Sequence, residues 1–198
     1  MGLNLDRLLG TKLFILRCLR NPRQLGAVLP TSGHVGTFLA RHADVEADFP
    51  IIELGGGSGS VTRALIKSGI APSRLYVIEL DPELAAYLKK TLPDVTVIQG
   101  DAANLSSILP ADIIGKVQRV ISSLPMINMP PAIRRKILES CFEVMTPGGI
   151  YLQFTYAPLS SINDKIHQLK KKRLGTILRN VPPATVWQYT RDVATAGC

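Results

Sequence analysis

The stretch Pro50-Ile51-Ile52-Glu53-Leu54-Gly55-Gly56-Gly57-Ser58-Gly59-Ser60 decides the fold. An apolar run meets an acid and then four glycines within five positions. Val61-Thr62-Arg63-Ala64-Leu65-Ile66 follows as a helix start. Strand, glycine loop and helix together make the shape of a nucleotide-binding turn. Glycines there reach positive φ and let a ligand approach the backbone closely. A plain glycine-rich turn carries the same local signature, so the residues downstream must separate the two.

Leu75-Tyr76-Val77-Ile78 reads as a second strand, closed by Glu79-Leu80-Asp81-Pro82. Glu79 stands about twenty residues past the glycine loop, where a carboxylate can accept both hydroxyls of a ribose. Asp81 suits the N-cap of the next helix, residues 83–92, with Pro82 at its first position. Val95-Thr96-Val97-Ile98 is a third strand, followed by Gln99-Gly100-Asp101-Ala102. Asp101 could accept an adenine amine, and the Ala102 N–H could meet a ring nitrogen. Asp101 could equally cap a short helix at 103–109. Glu53, Glu79 and Asp101 each end a successive strand, and open α/β sheets bind ligands at that edge.

These three segments, Glu53–Gly59, Val77–Asp81 and Gln99–Ala102, resemble motifs I to III of class I S-adenosylmethionine-dependent methyltransferases. The resemblance implies a Rossmann-like α/β fold. Its mostly parallel seven-stranded sheet carries a C-terminal antiparallel hairpin and helices on both faces. It places Gly55, Gly57 and Gly59 around the methionine and ribose of the cofactor. It gives Glu79 the ribose, Asp101 and Ala102 the adenine, and Ser122 a further cofactor contact. Glu53 would face the cofactor's amino group. A nicotinamide dehydrogenase is disfavoured, because its fingerprint has no acid before the glycines and its pyrophosphate needs the helix N-terminus. No Gly-Lys-Ser/Thr phosphate loop is present.

Residues 117–121 form a fourth strand ending in Ser122-Ser123-Leu124-Pro125, the motif IV position for the methyl acceptor. Amino-methylating nucleic-acid enzymes place an aromatic after the proline there; Met126 takes its place, which argues against a flipped base. A helix at 132–145 and the turn Thr146-Pro147-Gly148-Gly149 lead into a fifth strand, 150–156. Residues 160–172 are polar and basic; they read as solvated surface and could also pair with lipid phosphate or RNA. Segments 174–180 and 184–190 form a closing hairpin around Val181-Pro182-Pro183. Alternation puts Trp187, Tyr189 and Arg191 on one face.

The chain has 198 residues and a formal net charge of +8, which favours an anionic partner. Its three cysteines, Cys18, Cys141 and Cys198, are far apart, as suits a reducing cytosol and no zinc site. No apolar run is long enough to span a bilayer, and no metal-ligand cluster stands out. Residues 1–21 read as a basic amphipathic helix, with Arg7, Lys12, Arg17 and Arg20 suited to an anionic membrane surface. Packing against the domain's own core is the plainer reading of that helix. Residues 22–49 read as a cofactor-covering loop and helix, and 50–198 as the core of a single domain.

A closer resemblance narrows the acceptor. Residues 21–32, Ser123–Pro125, Gln153–Tyr156 and Pro182–Arg191 resemble the small bacterial phospholipid N-methyltransferases, which convert phosphatidylethanolamine to phosphatidylcholine. The resemblance implies an enzyme that is cytoplasmic and peripheral on the inner face of the membrane. Ser123, Leu124, Pro125 and Arg191 would bind substrate, Arg191 through the phosphate, while Tyr156 or Tyr189 accepts a proton from the amine. An RNA adenine methyltransferase is the competing enzyme reading, although nucleic acid is disfavoured. A cofactor-binding membrane adaptor without turnover is the non-enzyme reading.

Overall fold

The computed structural model describes residues 33–43, 47–156, 160, 162, 168–180 and 182–191. The expected N-terminal helix, with Arg7, Lys12, Arg17 and Arg20, lies outside the described residues, as does the loop at 22–32.

Seven strands form one sheet: β1 (Ile51–Leu54), β2 (Leu75–Glu79), β3 (Thr96–Gln99), β4 (Val117–Ser122), β5 (Met145–Thr155), β6 (Leu169–Ile177) and β7 (Ala184–Arg191). Their spatial order is β3-β2-β1-β4-β5-β7-β6. The first five strands are parallel, and β7 runs antiparallel between β5 and β6. The expected Rossmann-like sheet with its closing hairpin is therefore present.

Both faces are covered, so the central strands are largely apolar. On one face Ile51, Val77, Leu152 and Val186 pack with Leu39 of helix α1 (Gly33–Ala40), Leu65 of α2 (Ser60–Lys67) and Leu88 of α3 (Pro82–Thr91). On the other, Ile52, Leu54, Val120, Tyr151 and Tyr189 pack with the short α4 (Leu105–Ile108) and with Ile137, Leu138 and Cys141 of α5 (Pro131–Val144). Helix α3 begins as its sequence requires. The Asp81 carboxylate accepts the N–H groups of Glu83 and Leu84 at 2.9 and 3.2 Å, and Pro82 follows at the first turn. Such a cap stabilises a helix by about 1 kcal/mol.

Two stretches differ from expectation. Lys170-Lys171-Lys172-Arg173 is solvated as expected, but within a strand: it forms the first half of β6, paired with residues 187–190 of β7. This strand lies at the edge of the sheet, where exposed lysines discourage pairing with another chain. Its basic run masks the alternation by which strands are read. The turn at 146–149 is likewise absorbed into β5. Val117 pairs with Met145 and Arg119 with Ile150, so the intervening residues bulge out, with Gly148 at φ 78°.

Strand order reverses between β1 and β4. Ligands of open α/β sheets bind at such a switch point, outside the carboxyl ends of the strands.

Candidate cofactor and methyl-acceptor site

Three backbone hydrogen bonds continue the parallel ladder past the strand ends and fix the loops at this edge. Gly55 N–H donates to the Ile78 carbonyl at 2.8 Å, Gly100 N–H to Glu79 at 2.9 Å, and Ser123 N–H to Leu54 at 2.9 Å. A cleft opens among them, lined by Gly55, Glu79, Asp101, Ala102 and Leu124 together with Met129. Five residues expected at the site from sequence are thus gathered in one place.

Glu79 is buried, and each carboxylate oxygen accepts a backbone N–H, one from Gly57 at 2.8 Å and one from Asp81 at 3.0 Å. It locks the glycine loop onto the end of β2. Each oxygen retains a second lone pair for a ligand hydroxyl. Asp101 takes the expected capping role at the edge of the cleft. One oxygen caps the turn Ala102–Asn104 through the Ala103 N–H at 3.0 Å, and the residue still lines the cleft.

Glu53 is 1% exposed and lies on the same sheet face as Glu79. One of its oxygens accepts the Thr62 hydroxyl at 2.7 Å; the other, Oε1, has no hydrogen-bond partner among the described residues. Burial pushes its carboxyl up to about 8 against a partly offsetting bond from Thr62, and the nearby Glu79 charge adds to the rise.

Four buried side-chain polar atoms are unpartnered among the described residues: Glu53 Oε1, Ser123 Oγ, the Tyr156 hydroxyl and Trp187 Nε1. All four lie toward the carboxyl edge: Glu53 in β1, Ser123 just past β4, Tyr156 just past β5, and Trp187 in β7 level with Gln153. Buried polar groups are nearly always paired, and such a cluster marks a place where a polar ligand completes the bonding. The residues fit S-adenosylmethionine: an orphaned carboxylate oxygen for an ammonium, a braced carboxylate for a diol, and a third acid with Ala102 for an adenine.

Two of the glycines in the loop do different work. A Cβ on Gly56 would sit 2.4 Å from Val77 Cγ1 and 2.7 Å from Leu88 Cδ1, so this glycine lets the loop close on β2 and α3. Gly57 has φ 52°, yet a Cβ there would meet nothing within 4 Å. Gly56→Ala is therefore expected to lose about 1–3 kcal/mol of stability by overpacking. Gly57→Ala should lose about 1–2 kcal/mol through its left-handed backbone. Its methyl fills open space beside the loop, so cofactor affinity should fall at least tenfold. Urea denaturation and calorimetric titration with S-adenosylmethionine measure the two effects separately.

The other expected residues are dispersed. Ser122 is fully buried, with its hydroxyl facing Tyr151 and the Leu124 N–H rather than the cleft. Pro125 precedes the short turn Met126–Asn128, and Met126 is 1% exposed in the core. Tyr189 is not brought to the site. It is 0% exposed, stacked edge-on against Tyr151, and hydrogen-bonded through its hydroxyl to Ser160. Arg191 is farther still. Thr185 pairs with Thr155 at the carboxyl edge, whereas Arg191 lies six residues along β7, about 20 Å away at the opposite edge. Its guanidinium sits over the Phe142 ring at 4.7 Å. The alternation that groups Trp187, Tyr189 and Arg191 holds, but that face belongs to the core.

Sequence reasoning passed over Gln153 as a site residue. Its buried amide nitrogen reaches the carbonyls of Ser122, Leu124 and Phe154 at 3.3, 3.0 and 2.8 Å, and its oxygen accepts the Tyr151 hydroxyl at 3.0 Å. Gln153 thus positions the loop after β4. A glutamine at an inward position of an apolar strand was the available signal.

The family described as "Methyltransferase domain" matches residues 51–149. The ornithine lipid N-methyltransferase of Singulisphaera acidiphila is 26% identical over 149 residues, covering 74% of this chain and 78% of that protein. Ribosomal RNA small subunit methyltransferase A of Chlorobium phaeobacteroides is 31% identical over 106 residues, but the match spans 51% of this chain and 38% of that protein. Among solved structures, a TehB-like SAM-dependent methyltransferase from Corynebacterium glutamicum superposes with a TM-score of 0.61 at 16% identity, covering 92% of this chain and 99% of the other. That last likeness concerns the fold.

Proposed function

Because the chain belongs to the class I S-adenosylmethionine-dependent methyltransferases, we propose that it N-methylates the amine headgroup of a membrane lipid, carrying phosphatidylethanolamine and its methylated intermediates toward phosphatidylcholine. The observation that carries this reading is the similarity to a lipid N-methyltransferase over three quarters of the chain. Motif IV supports it, since Met126 is buried and offers no ring for a nucleobase to stack on.

S-adenosylmethionine, when bound, supplies an electrophilic methyl on a sulfonium. The chain's own residues do the rest. Glu53, Glu79 and Asp101 hold the donor at the carboxyl edge. Gln153 fixes the carbonyls of Ser122 and Leu124, so the loop that meets the acceptor is rigid. The hydroxyls of Ser123 and Tyr156, unpartnered among the described residues, would orient the amine. Ethanolamine is largely protonated at neutral pH, so a proton must leave before its nitrogen is nucleophilic. Tyr156 could relay that proton, its oxygen taking the N–H proton as its own hydroxyl proton leaves to water. Alignment of donor and acceptor supplies much of the rate.

Partial matches to ribosomal RNA methyltransferases, shared over about half of this chain, keep an RNA adenine acceptor as the second reading. Full-length protein with labelled cofactor should transfer label to phosphatidylethanolamine vesicles and leave RNA unlabelled. Label in RNA alone would sink the lipid reading. Label in ornithine lipid but not in phosphatidylethanolamine would keep lipid N-methylation and change the headgroup. Cofactor binding with no transfer to any of them would point to the adaptor.

A further inference from the structure

We propose that the carboxyl edge of the sheet is itself the surface by which this protein docks on an anionic phospholipid bilayer, with the β6–β7 turn as its insertion point. The inference rests on the lipid reading above and gives it an orientation. It uses the folded core and is separate from the helix expected at residues 1–21.

The exposed large apolar side chains among the described residues are Leu178 at 75%, Ile127 at 52% and Tyr87 at 46%. Tyr87 lies on α3, with the Arg63 guanidinium 6.0 Å from its ring centroid. Leu178 and Ile127 both belong to the carboxyl edge. Ile127 follows β4, and Leu178 follows β6, whose last residue Ile177 pairs with Ala184 at that edge. The two aliphatic tips therefore flank the strand ends that carry Ser123 and Tyr156.

Charge completes the surface. Leu178 and Arg179 border an open cleft whose other wall is α1, with His34 and Arg41. None of the described residues lining that cleft is acidic. Exposed arginines beside a projecting leucine match a layer of lipid phosphates over acyl chains. RNA matches less well. Sequence-tolerant RNA surfaces stack bases on aromatic rings, and the exposed tips at this edge are aliphatic. Docked this way, the cleft between β1 and β4 faces the headgroups, and the acceptor amine need not leave the bilayer.

The test is cosedimentation of full-length protein with vesicles of phosphatidylcholine alone or with about a third phosphatidylglycerol. Each basic residue near an anionic surface changes binding about fivefold, so Leu178→Asp combined with Arg179→Glu should weaken binding to the anionic vesicles at least tenfold. Both positions are exposed, and retained cofactor affinity by calorimetry verifies folding. Arg191→Glu, at the opposite edge, should change vesicle binding less than twofold. Unchanged binding of the double variant overturns the proposal. So does an equal loss in Arg191→Glu, which would mean net charge without orientation, or a loss of binding to homopolymer RNA in place of vesicles. The two readings separate cleanly. Lipid methylation in detergent micelles with vesicle binding insensitive to Leu178 and Arg179 retains the function and rejects the docking surface. Variant-sensitive docking without lipid methylation does the reverse.

Discussion

Glu79→Gln is expected to lower cofactor affinity at least a hundredfold and destabilise the ligand-free fold by about 2–4 kcal/mol, since hydrogen bonds to charged groups contribute about 1.5–3 kcal/mol each. The reason is geometric. Both carboxylate oxygens accept backbone N–H groups, from Gly57 and Asp81. An amide has one oxygen, so in either orientation its NH2 faces one of those donors. Either the glycine loop or the start of α3 then loses its anchor, and the bound ribose loses an anionic acceptor. Glu79→Asp keeps the charge but is one methylene too short to span both donors. It should retain more stability than affinity. Urea denaturation and calorimetric titration with S-adenosylmethionine read the two losses. Binding by the glutamine variant at wild-type strength would remove Glu79 from the site.

Glu53 gives the second large effect, visible as pH dependence. Its folded carboxyl titrates at about 8 instead of 4.5, chiefly because burial disfavours the charge. Between those values the folded state holds a proton that the unfolded chain has released. Its contribution to stability is therefore complete below pH 4.5 and is lost as pH rises toward 8, by about 1.4 kcal/mol per pH unit. Glu53→Gln removes the titration. The difference in stability between variant and wild type should move in the variant's favour by several kcal/mol from pH 5 to pH 8.

Binding reverses the sign. An ammonium beside the orphaned Oε1 stabilises the carboxylate, so at pH 7 the cofactor should displace close to one proton from wild type and none from Glu53→Gln. Calorimetry in two buffers of different ionisation enthalpy counts that proton. Affinity of the wild type should rise up to tenfold per pH unit below pH 8, while that of Glu53→Gln should be weaker and flat over the same range. Equal proton release from both proteins would place the ammonium elsewhere.

The elements most legible in the sequence are those set by short-range rules. Asp81 and Pro82 announce the start of α3, and the apolar run before Gly55 announces a buried parallel strand. The basic edge strand was hidden, because its residues 170–173 are all exposed and show no apolar alternation. Tyr189 and Arg191 show the opposite failure. Their residue types suit proton transfer and phosphate binding, and their alternation with Trp187 was read correctly. Their distance from the site depends on register, and pairing Tyr151 with Tyr189 puts both below the carboxyl edge.

By itself, the sequence determined that Glu53, the glycine loop, Glu79 and Asp101 end successive strands. A strand's carboxyl end in a parallel sheet is a local property with a shared direction, so their meeting at one edge was implied by the chain. Only the tertiary structure decided which of their atoms are already engaged. Among the described residues it leaves Glu53 Oε1 buried and unpartnered, and it gives both oxygens of Glu79 to backbone donors. It also assigns Gln153 to hold the loop after β4 and places Leu178 and Ile127 on the rim. Those outcomes depend on long-range packing, which sets burial and hydrogen-bond partners that no local pattern of residues encodes.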